Sequence, residues 1–210
     1  MGLIFQTPEE SEVVKPFEAL PFGINLGSSL GVLFSDEHAE AVFLAYTEAS
    51  LLERGAVYHV NVGGGFSPSL LRRVKDNLEG FYFGKAFRLQ TVLDALNSVE
   101  GGASFVVAGF PLLKGISADG IVEAVETAGE KGVTLILTHS PLSLNELDLP
   151  LEFRNYFLLP ELFDYLIVAR TAAYRGHYRM NLSLLRAPAD FLGSLGEHTI
   201  PLDDAIKALL

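Results

Sequence analysis

The stretch that decides the fold covers residues 31–74, GVLFSDEHAEAVFLAYTEASLLERGAVYHVNVGGGFSPSLLRRV. It opens within a short apolar run, residues 30–34, of the kind a buried strand needs. Ser35 or Asp36 can cap a helix that runs to about Glu53, with Gly55 just past its end as the stop. That helix is apolar almost all round (Ala39, Val42, Phe43, Leu44, Ala45, Tyr46, Ala49, Leu52), which places it in the middle of a domain. Residues 56–62, AVYHVNV, form the next strand. Gly63, Gly64 and Gly65 then turn the chain into a helix capped by Ser67, with Pro68 at its first position.

The same alternation continues downstream. Residues 81–88 are strand-like and 89–99 helical, and 103–110, ASFVVAGF, are a nearly pure apolar strand. Ser117 opens a helix to about Lys131, closed by Gly132, and residues 133–138, VTLILT, are apolar again. Buried strands alternating with helices predict an α/β fold, a mostly parallel sheet covered on both faces. After Pro160 the pattern changes: residues 165–170 and 178–186 alternate, joined by RTAAYRGHY, and predict an antiparallel hairpin at the sheet edge. Residues 202–210 read as a short helix. Upstream, residues 1–28 are an irregular lead-in punctuated by Pro8, Pro16, Pro21, Gly23 and Gly27. The expected organisation is one domain over residues 1–210, with its core at 29–190 and a tail at 191–210.

Composition narrows the function classes. The 210 residues contain no cysteine, which excludes a disulfide scaffold, a Cys-ligated metal site and a thiol nucleophile. No apolar run is long enough for a transmembrane helix. The opening MGLIFQTPEESE lacks the basic and apolar regions of a signal peptide, so a cytoplasmic protein is the expectation. With 15 Lys and Arg against 26 Asp and Glu, the net charge of -11 argues for weak or no nucleic-acid binding and against an anionic membrane surface. Residues 1–53 hold nine carboxylates against one base, Lys15, and read as a solvated acidic face. Residues 165–189 carry Arg170, Arg175, Arg179 and Arg186 and no carboxylate. In a hairpin these arginines are gatekeepers of a sheet edge or a docking surface.

The order of these parts, together with the turn Gly64, Gly65, Phe66, Ser67, Pro68, resembles the ATPase core of the RecA/RadA superfamily. The likeness is to the short RadB-type paralogues and related KaiC-like domains, over roughly residues 20–190. It implies a RecA-like doubly wound sheet with a C-terminal antiparallel hairpin. It also implies where a nucleotide would sit, and there this chain departs from the family. The phosphate loop G-x-x-x-x-G-K-[ST] falls on residues 34–41, where Phe34 and Ala39 replace the glycines, Glu40 the lysine and Ala41 the hydroxyl residue. The acidic strand end has become Asn61, Val62, Gly63. The strand with the magnesium-associated Asp ends on Ala108 and Gly109. The phosphate-sensor tip is Thr138, His139, Ser140. Asp36, Glu37 and Glu40 gather at a helix start where a phosphate would bind, and they would repel it.

No other chemistry is spelled out. His38, His59, His139, His177 and His198 show no metal-ligand spacing, and His59 is expected as a hydrogen-bonded core or edge residue. No catalytic residue, cofactor or metal is assigned. The resemblance then implies a degenerate ATPase that binds a protein partner, a recombinase or a replication or repair factor. Arg170, Arg175, Arg179 and Arg186, interleaved with Tyr174 and Tyr178, are the candidate partner-binding residues. One alternative is a self-assembling homo-oligomer whose acidic lead-in docks on the hairpin of the next copy. Another is an enzyme of a different class using Asp36, Glu37, His139 and Ser140 in the cleft at the strand ends.

Overall fold

Runs of Leu, Val, Ile and Phe too apolar for a surface strand find cover only between two layers of helix, and this constraint organises the chain. The computed structural model describes residues 12–63, 65–140, 162–174 and 177–202. A two-residue ladder joins β1 (Val13–Val14) to β2 (Ile24–Asn25). The main sheet contains β3 (Ser29–Phe34), β4 (Val57–Asn61), β5 (Phe81–Lys85), β6 (Ser104–Ala108), β7 (Thr134–His139), β8 (Tyr165–Tyr174), β9 (His177–Arg186) and β10 (Gly196–Pro201). Its order is β10-β9-β8-β3-β7-β6-β4-β5. The six strands from β8 to β5 are parallel, while β9 and β10 run antiparallel to their neighbours.

Helices α1 (Glu37–Leu51) and α2 (Pro68–Val74) cover one face, and α3 (Leu89–Ser98) and α4 (Ala118–Lys131) the other. Side chains alternate along each strand, so β3 sends Leu30, Val32 and Phe34 to the first layer and Leu33 to the second. Phe43 of α1 packs between Phe34 and Phe17, with ring centroids 5.6 and 6.4 Å away. Local chemistry sets the helix ends. Asp36, Ser67 and Ser117 each accept a backbone N–H as N-cap, and Gly132 closes α4 at φ 64°.

Several expectations are corrected. The acidic helix stops at Leu51, capped by Leu52 in a right-handed conformation, and the chain turns through Arg54 without using Gly55 as a left-handed stop. The lead-in is less irregular than its prolines suggest: Phe17, Leu20 and Phe22 are buried against α1 and the hairpin end of the sheet. The hairpin does not form the edge. The tail supplies β10, which pairs with β9 from Gly196↔Leu184 to Pro201↔Arg179, so the edge-gatekeeper reading of the hairpin arginines fails. The expected C-terminal helix lies, except for Leu202, outside the described residues. Among the described residues no helix is long and apolar enough to cross a membrane.

Candidate functional site

Parallel strands deliver their C-terminal tips to one edge. There β4 leads to α2 on one face and β6 to α4 on the other, which opens a crevice at the tips. Glu40, on the first turn of α1, fills this junction and is fully buried. Its Oε1 accepts from Thr138 Oγ1 at 2.9 Å. Its Oε2 accepts from Ser140 Oγ at 2.8 Å and from the Gly65 N–H at 2.7 Å. Thr138 Oγ1 also accepts from the Gly109 N–H at 3.3 Å. One carboxylate therefore ties the helix after β3 to the tips of β4 and β7, and through Thr138 to that of β6.

Two glycines make this approach possible. A Cβ on Gly65 would lie 3.0 Å from the Glu37 carbonyl and 3.3 Å from Glu40 Oε2. Gly109 turns at φ 80°, a left-handed conformation that costs a side-chain-bearing residue free energy. Of the other positions the sequence singled out here, Ala39 is buried and gives its N–H to the Asp36 cap, Ala41 is half-buried, and Gly63 is exposed at the end of β4.

Asp36 makes the second tie. Its carboxylate accepts from the Ala39 N–H at 2.8 Å and from the N–H and Oγ1 of Thr171 at 2.9 and 2.7 Å, so it binds the start of α1 to β8. Burial works against its charge, but the two bonds from Thr171, with those from Ala39 and Ser35, outweigh it and hold the carboxyl below its ordinary range. The third tie lies deeper. Glu48 of α1 is hydrogen-bonded to Nδ1 of His59 on β4, and both are buried. Burial pushes the Glu48 carboxyl up, and the bond and charge of His59 pull it partly back. Glu48 Oε2 and His59 Nε2 have no hydrogen-bond partner. Aromatic rings wall the imidazole instead, with Phe66, Phe83 and Phe81 centroids at 4.3, 5.6 and 6.4 Å.

The acidic stretch is thus not one solvated face: Glu40 and Glu48 are buried and Asp36 is half-buried, while Glu12, Glu18, Glu37 and Glu53 are exposed. Glu40, Thr47, Glu48 and Leu51 recur at helical spacing along the buried side of α1. The apolar flanks of that stripe were the signal that its carboxylates are interior. The set proposed for other chemistry is not assembled. Asp36 faces Thr171, Glu37 is exposed, Ser140 donates to Glu40, and His139 is buried at the β7 tip. Cavities among the described residues lie elsewhere, one of them about 350 Å³ beside Tyr58, Tyr82, Gly84 and Ala95. Among the described residues no group of three or more His, Asp or Glu is placed to hold a metal ion.

The hairpin arginines separate. Arg170 pairs with Asn181 and Arg179 with Ala172, so both project from one face, and both are exposed. Arg186 folds back to donate from Nη1 to the Phe163 carbonyl at 3.3 Å. Arg175 and the side chain of Tyr174 lie outside the described residues, and Tyr178 is half-buried against the core. No protein-family model matches the chain, and no curated protein matches it in sequence.

Three outcomes are expected. Glu40→Gln keeps the fold at a cost of about 1 kcal/mol, because Thr138 Oγ1 can accept from the new amide, whereas Glu40→Leu strands three donors and costs about 3 kcal/mol or more in urea denaturation. Asp36 contributes stability that is present above the unfolded-state carboxyl pKa and lost as pH falls through its lower folded-state value. Thr171→Val therefore raises the Asp36 pKa in an NMR titration and moves the acid-unfolding midpoint to higher pH. His59→Ala, which leaves a buried carboxylate unpaired, costs about 3–5 kcal/mol, while the double change Glu48→Met with His59→Phe lies within about 1 kcal/mol of the parent.

Proposed function

We propose that this chain is a RecA-like paralogue that has given up nucleotide chemistry. On this reading it acts by binding a protein partner in the cytoplasm, as a regulatory or accessory factor in DNA recombination or repair. The observation that carries the reading is Glu40. Its carboxylate stands where the resemblance puts the phosphate-binding lysine. It accepts from Gly65, Thr138 and Ser140, donors that would otherwise be free to face an anion. A phosphate brought to this edge would have to displace a buried carboxylate and would meet its charge. The succession of parallel strands followed by a terminal hairpin supports the family reading as well.

The net charge of -11 favours a protein over nucleic acid as the partner. Arg170 and Arg179 on one hairpin face suit an acidic surface, whereas Arg186 is already engaged. Isothermal titration calorimetry with Mg-ATP tests the proposal directly. No binding heat is expected up to about 1 mM nucleotide, and micromolar affinity would overturn it.

A further inference from the structure

We propose that β5 is a self-complementary edge through which two copies of this chain pair, antiparallel about a two-fold axis at Phe83, into one continuous sheet. The proposal does not depend on the nucleotide-site reading. Among the described residues β5 is hydrogen-bonded on one side only, to β4. The parallel register fixes which groups point outward. The Val57 N–H bonds to the Gly80 carbonyl and the Ala86 N–H to the Asn61 carbonyl, so the even-numbered residues of β5 face β4. Phe81, Phe83 and Lys85 present their backbone groups to the open edge. The Phe81 N–H is already taken by the Leu78 carbonyl at 3.1 Å. Two donors remain, on Phe83 and Lys85, with the carbonyls of Phe81, Phe83 and Lys85.

One register uses both donors. With Phe83 opposite its own copy, the two Phe83 residues exchange N–H and carbonyl bonds. Each Lys85 N–H then meets the Phe81 carbonyl of the other strand, giving four inter-strand bonds. Tyr82 falls opposite Gly84, beside which a Cβ would meet nothing within 4 Å, so an aromatic ring has room there. The strand's single charge, Lys85, then faces Phe81 of the other copy, whereas a register centred on residue 85 would put two ammonium groups face to face.

The occupant is a second copy because the strand complements itself in hydrogen bonds and in shape, in a register that keeps the two Lys85 charges apart. An isologous contact of this kind also closes at two subunits. The area sets its strength. Tyr82, Phe83 and Phe87 are 54%, 48% and 72% exposed, roughly 300 Å² of aromatic surface per copy. With the backbone edge added, the contact stays below the ~1,200 Å² of a stable interface, so the dimer is weak and reversible.

Sedimentation equilibrium of the full chain from about 5 μM to about 1 mM should show the mass rising from monomer toward dimer. Lys85→Pro removes a donor that the monomer does not use, leaves the β4 ladder whole, and should keep the chain monomeric with an unchanged far-UV spectrum. Phe83→Lys, which opposes two cations across the axis, is the second variant should the proline disturb the strand. The absence of cysteine allows a register test. Phe83→Cys places two thiols across a hydrogen-bonded pair about 5.5 Å apart between Cα atoms and should oxidise readily to a disulfide dimer. Lys85→Cys leaves them about 14 Å apart and should not. A monomer at every concentration, a dimer that survives both Lys85→Pro and Phe83→Lys, or cross-linking through position 85 as fast as through position 83 would each overturn the proposal.

Discussion

The Glu40 carboxylate is the constraint on which the rest of the strand-tip edge depends. A buried carboxylate is tolerated only when its lone pairs are matched by donors, and here three donors come from two separate segments, the turn after β4 and the end of β7. Helix α1, the turn at Gly65 and the end of β7 are therefore held at fixed distances. The backbone at Gly65 approaches Glu40 closely because no side chain keeps it away. The Asp36 bonds to Thr171 extend the same device to β8, on the far side of β3. Carboxylate chemistry at this edge is spent on joining strands, which leaves Asp36 and Glu40 engaged rather than open to a substrate.

The Glu48–His59 pair shows the same preference about two turns further along α1. It joins α1 to β4 inside an aromatic shell, where an unpaired member would be costly and the pair as a whole contributes little beyond an apolar equivalent. Its value lies in fixing which part of α1 sits over β4. An all-round apolar helix has no polar stripe to set its rotation, and two interior carboxylates on one side of α1 provide it. The layers of the sheet come from hydrophobic burial, while the alignment of its tips comes from these polar ties.

Much of the secondary structure was legible in the sequence because it rests on local rules. Ser67 before Pro68, and Ser117 with Gly132 around an amphipathic run, mark helix ends that need no tertiary partner. Apolar runs such as SFVVA and TLILTH can only be interior strands. Local rules failed where an element is defined by what it touches. Strand β10, GEHTIP, has little strand character of its own and forms because β9 offers it a paired edge. Phe17 and Phe22 lie in a proline-rich lead-in and became core because the hairpin end of the sheet needed covering.

The sequence by itself determined the α/β class, the parallel character of the central strands and the absence of a glycine-lysine phosphate loop, since each follows from residue type and near-neighbour spacing. Only the tertiary structure decided what the carboxylates do. A glutamate at a helix start reads the same whether it faces water or an interior. Burial and donor geometry depend on Gly65, Thr138, Ser140 and Thr171, residues 25 to 135 positions away along the chain from the acids they bind. Those distances close only when the sheet has assembled, which is why acidity read as surface charge became the polar skeleton of the strand-tip edge.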